Sequence, residues 1–192
     1  MKTIFQKIWQ LAEPYLDTRK NDIHTKISTE CAYRLLEREG GDQDIVIPAI
    51  ILHDVGWKRV PENLQLKTFG PNATSPELNR LHEIEGVKIA KEILESVHYD
   101  KDKVAEILKI IEGHDSRKEP LSLNDKIVKD ADKLSRYNKE FFIINMKRFK
   151  ETYSQELDRL RSNLYKWLLT DSAKEIARAE IKNYAKELDD SQ

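Results

Sequence analysis

The chain has 192 residues, 39% of them hydrophobic, which suffices for one core and one domain spanning residues 1–192. Charged side chains make up 35%, above the roughly 25% of an ordinary globular chain, yet 33 basic and 34 acidic groups leave a net charge of −1. That balance offers no broad positive field for nucleic acid, and no apolar run approaches the roughly 18 residues of a membrane span, so neither is an expected partner.

The apolar period is helical nearly throughout. Ile4, Ile8, Leu11, Ala12 and Tyr15 share one face of a first predicted helix. Ile23, Ile27, Cys31 and Leu35 continue in a second until Gly40 and Gly41 stop it. Cys31 is the sole cysteine, so no intramolecular disulfide is expected; with no signal-like opening, the expected compartment is the cytoplasm. The run Ile45 to Leu52 is apolar and ends on His53 and Asp54, a pair that an apolar neighbourhood penalises. From Gly56 to Pro76, three prolines, two glycines and no sustained period predict a long loop, suited to a lid or a wall contacting substrate.

Ser75 is the predicted N-cap, and Pro76 the first residue, of a helix with the stripe His82, Gly86, Ile89 or Ala90, Ile93 and Val97. The next carries Val104, Ile107, Leu108 and Ile111 and ends at "EGHD". Asn124 is the expected cap of "DKIVKDADKLSRYN". Phe149, Tyr153, Leu157, Leu160, Leu164 and Trp167 form one continuous stripe. Ser172 and Glu175 offer a capping box to a last helix bearing Ala173, Ile176, Ala177, Ile181, Tyr184 and Leu188. No repeat and no alternating strand pattern interrupts this, and the predicted fold is all-α with about eight helices.

Four of the five histidines fall at ends or on inner faces of these helices: His24 before the second, His53, His82, and His114 one step beyond Ile111. They are 29, 29 and 32 residues apart, a spacing that lets successive helices bring them to one point. His98 lies among polar residues past a helix end and reads as a surface histidine. Several polar groups on inner faces are costly unless they share a purpose, and imidazoles beside a carboxylate suit a metal ion. Mn, Fe, Ni, Co or Zn fits such donors, with Mg a further option; the lack of cysteine pairs argues against a thiolate zinc site. For the later aspartate, periodicity does not choose between Asp130, near the stripe of Ile127 and Leu134, and Asp132, aligned with Val128 and Ser135.

The series "H…HD…D", with "LHDVG" at Leu52 to Gly56 and "ADKL" at Ala131 to Leu134, resembles the HD superfamily of metal-dependent phosphohydrolases. The resemblance spans about residues 20 to 140, and "TDSAKEIARAEI" looks like that family's closing helices, expected to pack as residues 139–188 on the metal-binding core. It implies His24, His53, Asp54 and Asp132 as metal ligands. In branches with two further histidines, His82 and His114 stand where a second ion is held, bridged to the first by Asp54; in one-ion branches they contact substrate phosphate or a metal-bound water instead, and both readings stay open. Asp115, in a second HD dipeptide lacking the following glycine, receives little weight. Some branches place Lys directly after the glycine, where this chain has Trp57 and then Lys58.

The expected chemistry is hydrolysis of a phosphoester or phosphoanhydride by metal-activated water, with Asp54 and Lys58 as catalytic candidates and Arg117 and Arg136 as contacts for substrate. The resemblance makes a nucleotide or another small phosphorylated metabolite the expected substrate. A di-iron oxygenase and a non-catalytic nucleotide-sensing module are the alternatives. Nothing in the sequence specifies an oligomeric state.

Overall fold

A computed structural model describes residues 2–65, 68 and 74–190, apart from the side chain of Pro76. The helices are α1 (Thr3–Leu16), α2 (Asn21–Glu39), α3 (Gln43–Leu52), α4 (Glu62–Gln65), α5 (Pro76–Ser96), α6 (Lys101–Glu112), α7 (Leu123–Leu134), α8 (Lys139–Phe149), α9 (Tyr153–Trp167) and α10 (Asp171–Asp189). Short 3₁₀ segments at Val55–Arg59 and Ser135–Tyr137 extend α3 and α7. Among the described residues there is no strand, so the all-α expectation holds.

The hub is α3. All eight residues from Ile45 to Leu52 are buried, because α1, α2, α6 and α7 surround the helix on every side. Pro48 within it has no N–H to offer the carbonyl of Asp44; the hydroxyl of Tyr99 donates there instead, at 2.7 Å. Asp42 caps the start by accepting from the N–H of Asp44 at 2.8 Å. Gly40 and Gly41 adopt φ of 78° and 99°, which turns the chain out of α2 and back into α3.

One hydrophobic cluster runs from Phe5 in α1 to Tyr184 in α10, and α10 closes it by packing on α2, α7 and α9. In α1 the buried stripe is Phe5, Ile8, Ala12 and Leu16, leaving Leu11 at the flank.

Among the described residues ten α-helices stand where about eight were expected, for two local reasons. The stripe from Phe149 to Trp167 is divided: Lys150 turns left-handed at φ 56°, and Thr152 with Gln155 forms a capping box that starts α9 afresh. The expected loop after Gly56 opens with the 3₁₀ segment and α4. Of that loop, residues 66, 67 and 69–73 lie outside the described residues. The caps also move. Ser122, not Asn124, accepts from the N–H of Asp125 to start α7, whereas Asn124 accepts from the N–H of Asp42. Thr170, not Ser172, caps α10, and Ser75 precedes α5 without a side-chain capping bond.

Candidate metal centre

Four elements deliver one group of side chains. His24 lies in the first turn of α2 rather than before it, His53 and Asp54 form the step from α3 into the 3₁₀ segment, and Asp132 lies in the last turn of α7. The two imidazole Nε2 atoms of His24 and His53 are 3.1 Å apart. Around them Asp132 Oδ1 stands 3.2 Å from His24 and 3.9 Å from His53, and Asp54 Oδ2 is 3.6 Å from each.

The hydrogen bonds behind the rings determine what those atoms present. His53 Nδ1–H donates to the carbonyl of Ile50 at 2.7 Å. The hydroxyl of Ser135 donates to the carbonyl of Asp132 at 2.6 Å, so it accepts from His24 Nδ1–H at 3.1 Å. Both Nε2 atoms therefore turn lone pairs, not protons, toward two carboxylate oxygens. Four electron-rich atoms at this spacing repel one another unless a cation lies between them, and 3.1–3.9 Å is the separation of donors placed roughly 2.0–2.2 Å from one ion. Burial lowers the pKa of His53 to about 4, which keeps the ring neutral, as a ligand must be. Burial would raise Asp54, yet the surrounding histidines hold it well below the usual carboxylate range.

Asp54 faces two ways. Its Oδ1 lies 3.7 Å from His82 Nε2 and 3.6 Å from His114 Nε2, which are 3.2 Å from each other. Asp115 completes this second set, with Oδ2 at 3.8 and 3.9 Å from the same two nitrogens. His114 Nδ1–H donates to the carbonyl of Ile111 at 2.9 Å, the same orienting bond that His53 makes. Burial lowers His82 to about 4; at His114 burial is outweighed by Asp54 and Asp115, which raise it to about 9, so without an ion this ring holds a proton between the carboxylates, and a bound cation would displace it. These residues would fit one ion between His24 and His53 and a second between His82 and His114, with Asp54 facing both.

His82 reaches this point because Gly56 lets two backbones touch. A Cβ on Gly56 would lie 1.9 Å from the carbonyl oxygen of His82 and 2.4 Å from the nitrogen of Gly86, so the 3₁₀ segment packs directly on α5. Trp57 follows, its ring stacked on His82 at 4.1 Å and its indole N–H donating to Asp54 Oδ1 at 3.0 Å. The turn carrying His114 and Asp115 is clamped from both sides. Buried Glu83 accepts from the N–H groups of Asp115 and Ser116, each at 2.9 Å, and Lys129 Nζ donates to the carbonyls of Gly113, His114 and Arg117.

The expected site residues separate clearly. Asp132 faces the histidines; Asp130 instead accepts from the N–H groups of Leu169 and Thr170 and from the Thr170 hydroxyl, fastening the start of α10. Arg136 bonds Asp132 Oδ1 at 3.2 Å and lines the cavity before the site. Arg117 does not, because Asp125 and the carbonyl of Lys109 hold its guanidinium elsewhere. Lys58 is also a correction: its ammonium donates to the carbonyl of Asp17 and borders a separate shallow groove, so the geometry gives it no catalytic position. His98 is exposed after α5, as expected. Three further residues border the site: Asp115, whose sequence signal is the second HD dipeptide, Trp57, and Lys133, which bridges Asp132 at 2.7 Å and Asp115 at 2.5 Å.

The site opens into a cavity of about 560 Å³. Its near wall is Asp54, Trp57, Asp115, Asp132, Lys133 and Arg136; the far wall comes from α8 and α9, with Phe141, Asn145, Arg148, Arg159 and Trp167. Burial opposes the charge on Lys133 and Arg136, but the adjacent aspartates outweigh it and raise both pKa values.

No curated protein matches this sequence. Among solved structures, one described as a predicted HD superfamily hydrolase from an uncultured Thermotogales bacterium aligns with a TM-score of 0.65 and 20% identity, over 96% of this chain and 88% of that one, a likeness of fold. The HD domain family model matches residues 21–137, a span that begins beside His24 and ends just after Arg136. The match covers more than half of the chain and includes His24, His53, Asp54 and Asp132, so the chain belongs to the HD domain family.

Proposed function

We propose that this protein is a metal-dependent hydrolase of a phosphoester or phosphoanhydride, acting on a nucleotide or a related small phosphorylated metabolite. The observation that carries the reading is Asp54, whose two oxygens serve two sets of inward-facing imidazole and carboxylate donors at the floor of a cation-lined cavity. His24, His53, Asp54 and Asp132 would hold one ion, and His82, His114, Asp54 and Asp115 a second, of Mn, Fe, Ni, Co or Zn. A divalent ion held there supplies activation of water and polarisation of a phosphoryl oxygen.

The remaining roles belong to the chain itself. Trp57 fixes the Asp54 carboxylate through its indole N–H, so the shared ligand does not rotate. Lys133 and Arg136, held against the ligand carboxylates and facing the cavity, donate to the phosphoryl oxygens as their charge grows. Phe141 and Trp167 supply apolar faces for the rest of the substrate.

Metal analysis of protein purified without chelator, paired with a phosphate-release screen over nucleotides and small phosphoesters with Mn, Co, Ni, Zn and Mg, tests this. Release that needs metal and disappears in Asp54→Ala is the expected result. A second reading, a di-iron oxygenase, is favoured by six of these residues, the four histidines with Asp54 and Asp132. Two irons per chain with oxygen consumption and no phosphate release would establish it in place of hydrolysis. Nucleotide binding without turnover under any metal would instead point to a sensing module.

A further inference from the structure

We propose that the two halves of the centre differ in affinity: the half between His24 and His53 holds an ion firmly, and the half between His82 and His114 holds one exchangeably. His82 is the cause. Free metal then sets whether the chain carries one ion or two. This deepens the hydrolase reading and rests on it for the presence of ions.

The first observation lies behind the rings. His53 Nδ1–H donates to the carbonyl of Ile50, His114 Nδ1–H to that of Ile111, and His24 Nδ1–H to the hydroxyl of Ser135. His82 is as deeply buried, yet its Nδ1 has no partner among the described residues. Stacking on Trp57 at 4.1 Å holds that ring in place of a hydrogen bond. An acceptor behind an imidazole fixes the tautomer and strengthens the lone pair turned to the ion. His82 receives neither benefit. To offer its Nε2 lone pair it must carry the proton on Nδ1, as a buried donor without an acceptor, a state that costs free energy whenever an ion is bound. Without an ion the proton can sit on Nε2 instead, toward Asp54 Oδ1 and Asp115 Oδ2 at 3.7 and 3.8 Å, and an ion has to reverse that placement.

The second observation concerns the carboxylates. The Asp132 side chain is 4% exposed and is held by Lys133 at 2.7 Å and Arg136 at 3.2 Å. Its counterpart Asp115 lies in the turn after α6, is 23% exposed, and of these two cations meets only Lys133. Water competes for Asp115 more readily, so the second half is weaker at a carboxylate as well as at an imidazole.

The test counts bound against free Mn²⁺ by equilibrium dialysis of the full chain after chelator stripping. Wild type is expected to take up one ion, then a second at about tenfold or more higher free Mn²⁺. Uptake of both in one step, or of one ion only at saturation, overturns the proposal. His82→Ala is expected to delete the upper step and leave the lower in place; loss of the lower step overturns the assignment. Two neighbouring cations repel, which separates the steps whatever stands behind the rings, so Ser135→Ala isolates the cause. That change takes the acceptor from His24, and the lower step is expected to rise about tenfold or more while the upper holds. A lower step that does not move overturns the role of the missing bond. Where circular dichroism shows a variant unfolded, Asp115→Asn replaces His82→Ala, and Ser135→Cys, whose thiol is a poor acceptor, replaces Ser135→Ala. Phosphate release is scored separately: unequal steps without release keep this inference and remove the hydrolase reading, and a single shared step with release does the reverse.

Discussion

At the scale of single residues, the site is an arrangement of lone pairs made deliberate by the atoms behind them. Ile50, Ile111 and Ser135 take the Nδ1 protons of His53, His114 and His24, so the opposite nitrogens are oriented toward the site before any ion arrives. Trp57 does for the bridging carboxylate what those acceptors do for the rings. Trp57→Phe retains a ring against His82 but removes the N–H donor to Asp54; about a tenfold fall in kcat is expected with metal content unchanged, checked by phosphate release beside elemental analysis. An unaltered rate would reduce Trp57 to packing. Asp115 is a sharper case, since only the second ligand set uses it. In Asp115→Asn, metal content should fall from two ions toward one while His24, His53 and Asp132 keep theirs; retention of two would remove Asp115 from the set. Asp132 was legible in "ADKL", but the inward turn of Asp115 was not, because it depends on Glu83 and Lys129 gripping the turn from two other helices.

At the scale of elements, the decisive contact is between the 3₁₀ segment and α5. Helical periodicity in the sequence placed His82 on an inner face, yet it carried no information on how closely that face approaches His53. The approach is set by Gly56, where any Cβ would collide with the backbone of His82 and Gly86. Gly56→Ala is therefore expected to destabilise the protein by about 1–3 kcal/mol or more and to lower occupancy of the second ion before the first. Denaturant unfolding and metal analysis check the two effects separately. A variant of wild-type stability would show that α5 can shift without consequence. The same limit explains the displaced caps: Ser122 and Thr170 stand two residues before Asn124 and Ser172, and sequence alone offers several good cap residues within each short polar stretch.

At the scale of the whole molecule, α8 and α9 form the far wall of the cavity, and one buried acid in α9 sets a pH dependence. Glu156 in α9 is raised to about 7, chiefly by burial, while Arg159 opposes the rise and Glu151 adds to it. A carboxyl whose folded pKa lies above its ordinary value contributes stability below that ordinary value and loses it as pH climbs through about 7. Glu156→Gln has no such proton to lose, so its melting temperature relative to wild type should rise between pH 5 and pH 8, by about 2–4 °C after allowance for solvent screening. A constant difference across that range would show that Glu156 does not titrate there. The sequence by itself determined the helical class, the apolar hub ending on His53 and Asp54, and the residue types of the first ligand set, because period, composition and short motifs are local properties of a chain. Only the tertiary structure decided that both oxygens of Asp54 face histidine pairs, that Asp115 turns toward the second pair, that Lys58 and Arg117 stand elsewhere, and that α8 and α9 carry arginines into the cavity. These depend on contacts between residues up to 129 positions apart, such as Arg148 and the carbonyl of Arg19, and packing, rather than any local pattern, sets such distances.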